Sequence, residues 1–165
     1  VFPIALDPTV LRIGLAGAGP EAARRREALE QGGVSPVSVA PEDALDGLNI
    51  LFVAGIERAR AELLAARARA AGVLVNVEDM PELCDFHVPA TVRRGDLAIT
   101  VSTSGRAPAL SRLLREWLER IVVPEWKDRL DQAARARAAW RAEGLSPGEV
   151  STRMRALAAR EGWLS

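Results

Sequence analysis

The sequence predicts an α/β fold: a parallel sheet with helices on its faces, then a strand–helix segment and a helical tail. Two observations carry the first part. Short apolar runs at Leu11–Ala16, Asn49–Ala54 and Val73–Val77 alternate with helical runs at Ala22–Gln31 and Glu57–Ala71. Unbroken apolar runs of that length suit strands covered on both faces, which is how parallel sheets sit. A third observation carries the rest: beyond Asp79 the pattern changes, and past residue 108 helical spacing takes over.

The elements follow in order. Val1–Val10 is an apolar lead with two prolines, read as an edge or connecting segment. Leu11–Ala16 is the first buried strand. Gly17-Ala18-Gly19-Pro20-Glu21-Ala22 forms a turn into the helix Ala22–Gln31, closed by Gly32-Gly33 just past its end, where glycine relieves the left-handed cap. Val37–Ala40 is a second strand, Asn49–Ala54 a third and Val73–Val77 a fourth, with the helix Glu57–Ala71 between the last two. Leu97–Thr103 alternates and reads as a half-buried or interface strand. The helix from Pro108 places Leu110, Leu113, Leu114, Trp117, Leu118 and Ile121 on one wide apolar stripe, and Pro124 ends it. A helix over Glu125–Ala142 follows. Ser146-Pro147-Gly148-Glu149 is a capping box that opens a last helix.

Composition bounds the function. With 165 residues and 48% hydrophobic content, the chain is long and apolar enough to bury a core. The 22 basic and 22 acidic residues cancel, which argues against a dedicated nucleic-acid binder. One cysteine excludes an internal disulfide framework, and no apolar run approaches a membrane span. The expected location is cytoplasmic, with no membrane or nucleic-acid partner.

Three motifs carry chemistry. Gly17, Gly19 and Ala22 form G-x-G-x-x-A between a strand and a helix, the Rossmann-like arrangement for a dinucleotide pyrophosphate. Alone, it also fits a plain glycine turn. The acidic residue expected about 20 positions on is not settled: Ala40-Pro41 ends the second strand, and Glu42 and Asp43 lie just beyond. Asn76-Val77-Glu78-Asp79 ends the fourth strand in carboxylates. It reads either as a solvated turn or as a cleft in which Asp79 is the acid/base, with Glu78 as its competitor. Ser102-Thr103-Ser104-Gly105-Arg106 opens the Pro108 helix, either as an ordinary cap or as a hydroxyl and backbone cradle for carboxylates. His87 and Cys84 stand alone, so no metal site is expected.

These residues resemble the precorrin-2 dehydrogenase family, the NAD-dependent part of sirohaem synthase. The resemblance rests on Phe2-Pro3-Ile4-Ala5-Leu6, Gly17 to Arg25, Val75 to Pro81, Phe86 with Pro89, Ser102 to Gly105, Pro108-Ala109-Leu110 and Leu113-Leu114-Arg115. It is densest from Val73 to Glu119 and thins after about residue 125. It implies an NAD-binding domain over 1–82, a dimerisation and substrate segment over 83–123 and a helical domain over 124–165, in a homodimer. It implies NAD-dependent conversion of precorrin-2 to sirohydrochlorin, and in some members insertion of ferrous iron. On that reading Asp79 is catalytic. Gly17, Ala18, Gly19, Pro20, Glu21, Ala22 and Asn76 serve the cofactor, and Ser102, Thr103, Ser104, Gly105 and Arg106 serve the tetrapyrrole.

Two departures lie on the nucleotide side. The stretch from Ala40 to Asn49 is shorter than the family's, and Ala54-Gly55-Ile56-Glu57 replaces its usual small-Thr-Asp/Asn signature. They support the alternative of a non-catalytic tetrapyrrole-binding or carrier dimer with a degenerate NAD site. A Rossmann dehydrogenase for another small substrate is the more distant rival.

Overall fold

The structure, a computed structural model, describes residues 2–164; Val1 and Ser165 lie outside the described residues. The fold is α/β, and the chain divides into two compact units, Val1–Val88 and Pro89–Ser165.

The first unit is a four-stranded parallel sheet, in the order β2-β1-β3-β4. Its strands are β1 (Ile13–Ala16), β2 (Val37–Val39), β3 (Ile50–Val53) and β4 (Leu74–Val77). Every residue of β1 and β3 is buried, as their unbroken apolar sequence demands. Helix α1 (Gly19–Gln31) covers one face: Ala22 and Leu29 pack with Ile13, Leu15, Ile50 and Phe52. Helix α2 (Arg58–Ala70) covers the other, placing Ala61, Leu64, Ala65 and Ala68 against Leu51, Val53, Val73 and Val75. The alanines let α2 lie close to the sheet, and Arg67 and Arg69 sit in its last turn, where cations suit the helix dipole.

The connection from β2 back over β1 to β3, residues 40–49, contains no helix. Leu45 and Leu48 are buried in the α2-side core and do the covering that a crossover helix would do. Gly14 makes room for this. A Cβ on it would stand 2.9 Å from Val39 Cγ2 and 3.0 Å from Leu48 Cδ1. The shortened stretch is therefore a packed part of the core.

Within the first unit, residues 84–86 are tied to β4. The Asp85 N–H donates to Val75 O at 2.8 Å, and Asp85 Oδ2 accepts the Val75 N–H at 2.9 Å. This segment gives the open edge of β4 one backbone and one side-chain hydrogen-bond partner.

The second unit opens with a hairpin of β5 (Ala90–Arg94) and β6 (Leu97–Val101) through Gly95-Asp96. Helix α3 (Pro108–Ile121) lies on this hairpin. Val92 and Val122 are buried, and the Arg94 guanidinium donates to Val122 O and Glu119 O at the end of α3. Leu110, Leu113, Leu114, Trp117 and Ile121 remain 38% to 63% exposed, so most of the apolar stripe read from the sequence stays open to solvent. Helices α4 (Trp126–Ala142) and α5 (Pro147–Arg160) pair. Trp126 meets Trp163 edge-on, and Arg129 lies over Trp126. The capping box forms as expected, with Ser146 and Glu149 bonded reciprocally. Among the described residues no helix is long and apolar enough to cross a membrane.

Candidate functional site

In an open parallel sheet, ligands sit outside the carboxyl ends of the strands, where the strand order reverses. Here the reversal falls between β1, which leads outward to β2, and β3. Gly17-Ala18 and Ala54-Gly55 leave the sheet at that point, and their backbones touch. A Cβ on Gly17 would lie 1.7 Å from Ala54 O, and one on Gly55 would lie 2.3 Å from Ala18 O. Ala54 N–H donates to Ala16 O at 3.0 Å and closes the seam. Both glycines also have positive φ, 124° and 66°. The sequence flags Gly17 by its motif. Gly55 is missed, because its reason for being glycine lies in the other loop.

Helix α1 begins three residues earlier than the sequence suggests, at Gly19, with Pro20 in its first turn. Its N-cap is Ala18, which has no side chain to accept a helix N–H. The early N–H groups are therefore open to an outside acceptor. A side chain on Gly19 would meet only Glu21 Oε2, at 3.5 Å, so the approach is clear. Glu21 is an anion in the same turn, and it forms an exposed 3.6 Å pair with Arg24. An uncapped helix start beside a glycine turn at the point of strand reversal fits the pyrophosphate of a dinucleotide. Gly17, Ala18, Gly19, Pro20, Glu21 and Ala22 share this short segment.

Past β4 the chain turns sharply. Asp79 is exposed, has φ 60° and has no side-chain partner among the described residues. Left-handed backbone at a residue other than glycine is uncommon and collects at functional turns. Asn76 is buried beneath this turn. Its amide donates to Phe86 O at 2.9 Å and towards Cys84 Sγ. The Cys84 thiol lies within 3.2 Å of both Val77 N and Val77 O, and burial pushes its pKa up, which keeps it a protonated structural thiol. Asn76 and Cys84 thus pin the loop whose tip is Asp79.

Glu78, the competitor, faces inward. Its Oε1 stands 3.9 Å from the Arg25 guanidinium, while its Oε2 is buried without a hydrogen-bond partner. Arg25 also lies over Phe52, which meets Phe86 edge-on. The sequence reading missed this cluster because its members are distant in the chain.

In the second unit Ser104 has φ 54° and Gly105 has φ 76°. The Ser104 N–H donates to Ser102 Oγ at 3.2 Å. Thr103 is half-buried: its Oγ1 bonds Ser111 Oγ and accepts the Ala107 N–H. Ser102, Ser104, Gly105 and Arg106 are exposed, and Ala107 gives α3 no side-chain cap. The loop is pinned by Thr103 and presents its other polar groups outward. His87 is exposed, and no group of three or more metal-ligating side chains exists among the described residues. A groove between α4 and α5, lined by Trp140, Arg153 and Arg160 among others, includes none of the predicted residues.

The family model described as "Putative NAD(P)-binding" matches residues 4–90, and the model "Sirohaem biosynthesis protein central" matches residues 94–121. The first model covers more than half of the chain, which therefore belongs to that NAD(P)-binding family, and the chain resembles the sirohaem synthases. By the description of the first model its cofactor class is a nicotinamide dinucleotide, NAD(P). It is 37% identical over 105 residues to the siroheme synthase of Thiobacillus denitrificans, a match covering 64% of this chain and 22% of that protein. It is 30% identical over 145 residues to the siroheme synthase of Nitrosomonas eutropha, covering 73% and 30%. The chain thus spans less than a third of these relatives' lengths. Among solved structures, "SirC, precorrin-2 dehydrogenase" superposes with a TM-score of 0.74 at 18% identity, covering 95% of this chain and 89% of that one. At that identity the likeness speaks for the fold.

Proposed function

We propose that the chain is an NAD-dependent dehydrogenase that takes a hydride and a proton from precorrin-2 to give sirohydrochlorin, in sirohaem biosynthesis. The observation that carries this reading is the carboxyl edge of the sheet. A backbone-on-backbone glycine seam and an uncapped helix start stand at the strand reversal, and Asp79 stands exposed past the end of β4. NAD+, when bound, supplies the hydride acceptor. Gly17, Ala18, Gly19, Pro20, Glu21 and Ala22 hold the pyrophosphate. Asn76 steadies the turn beside them, and Asp79 takes the proton or orients the macrocycle. Ser102, Thr103, Ser104, Gly105 and Arg106 receive the carboxylates of the substrate, which carries eight.

The same reading assigns cofactor binding to residues 1–82, dimerisation and substrate binding to 83–123, and a helical domain to 124–165. The exposed stripe of α3 supports a homodimer. Cytoplasmic location and insertion of ferrous iron, with Asp79 assisting pyrrole deprotonation, belong to the proposal as secondary parts. The test is anaerobic incubation of the purified protein with NAD+ and precorrin-2. Sirohydrochlorin is expected, at a rate that falls by about a hundredfold or more in Asp79→Ala. Equal rates for the two proteins would remove Asp79 from the mechanism.

The helix-free connection 40–49 favours one second reading, a tetrapyrrole carrier that has lost its nucleotide. Calorimetric titration with NAD+ separates the two: no binding at millimolar cofactor selects the carrier.

A further inference from the structure

Glu78 stands one residue before Asp79, past the carboxyl end of β4, and its carboxylate is turned inward. Its Oε2 is buried with no hydrogen-bond partner, and its Oε1 lies 3.9 Å from the Arg25 guanidinium, beyond hydrogen-bond reach. A half-desolvated carboxylate held that loosely is a poor source of stability, since apolar side chains of similar volume often serve as well or better. A buried polar atom in this state calls for a reason other than stability.

Its neighbours supply one. Arg25 stands in the second turn of α1, the helix whose uncapped start faces the crevice, and its guanidinium is braced 5.5 Å above the Phe52 ring. Phe52 belongs to β3 and meets Phe86 edge-on, and Phe86 O accepts the Asn76 amide at 2.9 Å. The Glu78 N–H donates at 2.9 Å to the carbonyl of Val53, the last residue of β3. Glu78 is thus fixed through its backbone to β3 and through its side chain to α1. The next residue, Asp79, swings into left-handed backbone and has no side-chain partner among the described residues. The bond that closes the turn beyond it, from Met80 N–H to Val77 O, is long at 3.4 Å. The firm side of the Asp79 turn is therefore Glu78.

We propose that the Arg25–Glu78 pair positions Asp79 against the dinucleotide at the start of α1, so that both residues act through Asp79 without touching the substrate. The proposal rests on the reading of Asp79 as the group that takes the proton or orients the macrocycle. A displacement of about 1 Å at such a group costs up to about a hundredfold in rate, and loosening one of its anchors is expected to cost about tenfold.

The experiment is anaerobic turnover of precorrin-2 with NAD+ by the full chain, well below its melting temperature. Glu78→Gln keeps the shape and removes the charge. Its kcat should fall about tenfold, with the KM for NAD+ within about threefold and the melting temperature unchanged or raised. Arg25→Met breaks the pair from the other side and should lose as much, and Arg25→Lys, which keeps the charge, should recover most of that loss. In an Asp79→Asn background Glu78→Gln should slow the reaction no further, because residues that act as a unit are not additive. A further loss of about tenfold in that background assigns the pair to structure alone and overturns the proposal. A Glu78→Gln kcat equal to that of the unmutated chain, with Asp79→Asn slow, also overturns it and leaves the Asp79 reading standing. An unmutated chain without turnover, or an Asp79→Asn chain as fast as it, is a different failure: it removes the Asp79 reading and this inference with it.

Discussion

Adding one methyl group at Gly17 tests the crevice most sharply. The new Cβ of Gly17→Ala would stand 1.7 Å from Ala54 O and 2.9 Å from Ala54 C. Carbon and oxygen ordinarily approach to about 3.3 Å, so the two loops must part by about 1.5 Å. Both contacts are backbone, so no side chain can swing away to relieve them. Parting the loops strains or breaks the Ala54 N–H to Ala16 O bond, a loss of about 1 kcal/mol. Alanine at φ 124° adds about 1–3 kcal/mol of backbone strain. Displacing the buried ends of β1 and β3 costs more, so a total of about 3–5 kcal/mol is expected. For a unit the size of Val1–Val88 this lowers the melting temperature by about 15–30 °C. Gly19→Ala is the control. It has positive φ but meets only Glu21 Oε2 at 3.5 Å, so its cost is strain alone, about 1–2 kcal/mol. Thermal melting followed by circular dichroism compares the two. A Gly17→Ala protein that melts no lower than Gly19→Ala would refute the backbone seam.

Three further expectations follow from other parts of the chain. Asp85→Ala removes the acceptor of the buried Val75 N–H and should destabilise the first unit by about 1–3 kcal/mol in urea unfolding, with no effect expected from the neighbouring exposed His87→Ala. Leu113, 63% exposed on α3, should become a dimer-breaking site: Leu113→Glu is expected to sediment as a monomer, and a monomeric unmutated protein would contradict the dimer. Glu149 has its carboxyl pKa lowered from 4.5, first by the Ser146 hydroxyl and then by the Ser146 backbone. A lowered folded-state pKa contributes stability that is present above the unfolded value and lost as pH falls through the folded one. Acid below about pH 4 should therefore cost the unmutated protein more than Glu149→Gln, read as the pH dependence of melting.

Much of the fold was legible because burial writes itself into sequence. The apolar runs of β1, β3 and β4 and the Ala-rich face of α2 fix a sheet covered on both sides. β5 escaped because Ala90–Arg94 has only Val92 buried, and two arginines mask its alternation. Gly95-Asp96 between two extended segments was the available signal. The start of α1 was placed late because glycine and proline are poor helix formers in the interior, whereas at the first turn they are tolerated. The apolar stripe of α3 was visible, but sequence alone cannot say whether such a stripe meets the chain's own core or another surface.

The candidate site divides in the same way. G-x-G-x-x-A and the acidic turn are local in sequence, so they could be read. Gly55 opposite Ala18, Arg25 beside Glu78, and Asp43 turned onto Ala40 depend on how loops fold, and no spacing rule reports them. The left-handed backbone of Asp79 and of Ser104 was equally hidden, since neither residue is glycine.

The most direct test of the central claim is the stoichiometry of one anaerobic reaction, in which purified protein, NAD+ and precorrin-2 are followed together by the absorbance of NADH and of sirohydrochlorin. The account predicts one NADH for each sirohydrochlorin formed, with both signals slowed alike in Asp79→Asn while melting is unchanged. Tetrapyrrole binding without any NADH from the unmutated protein would contradict it.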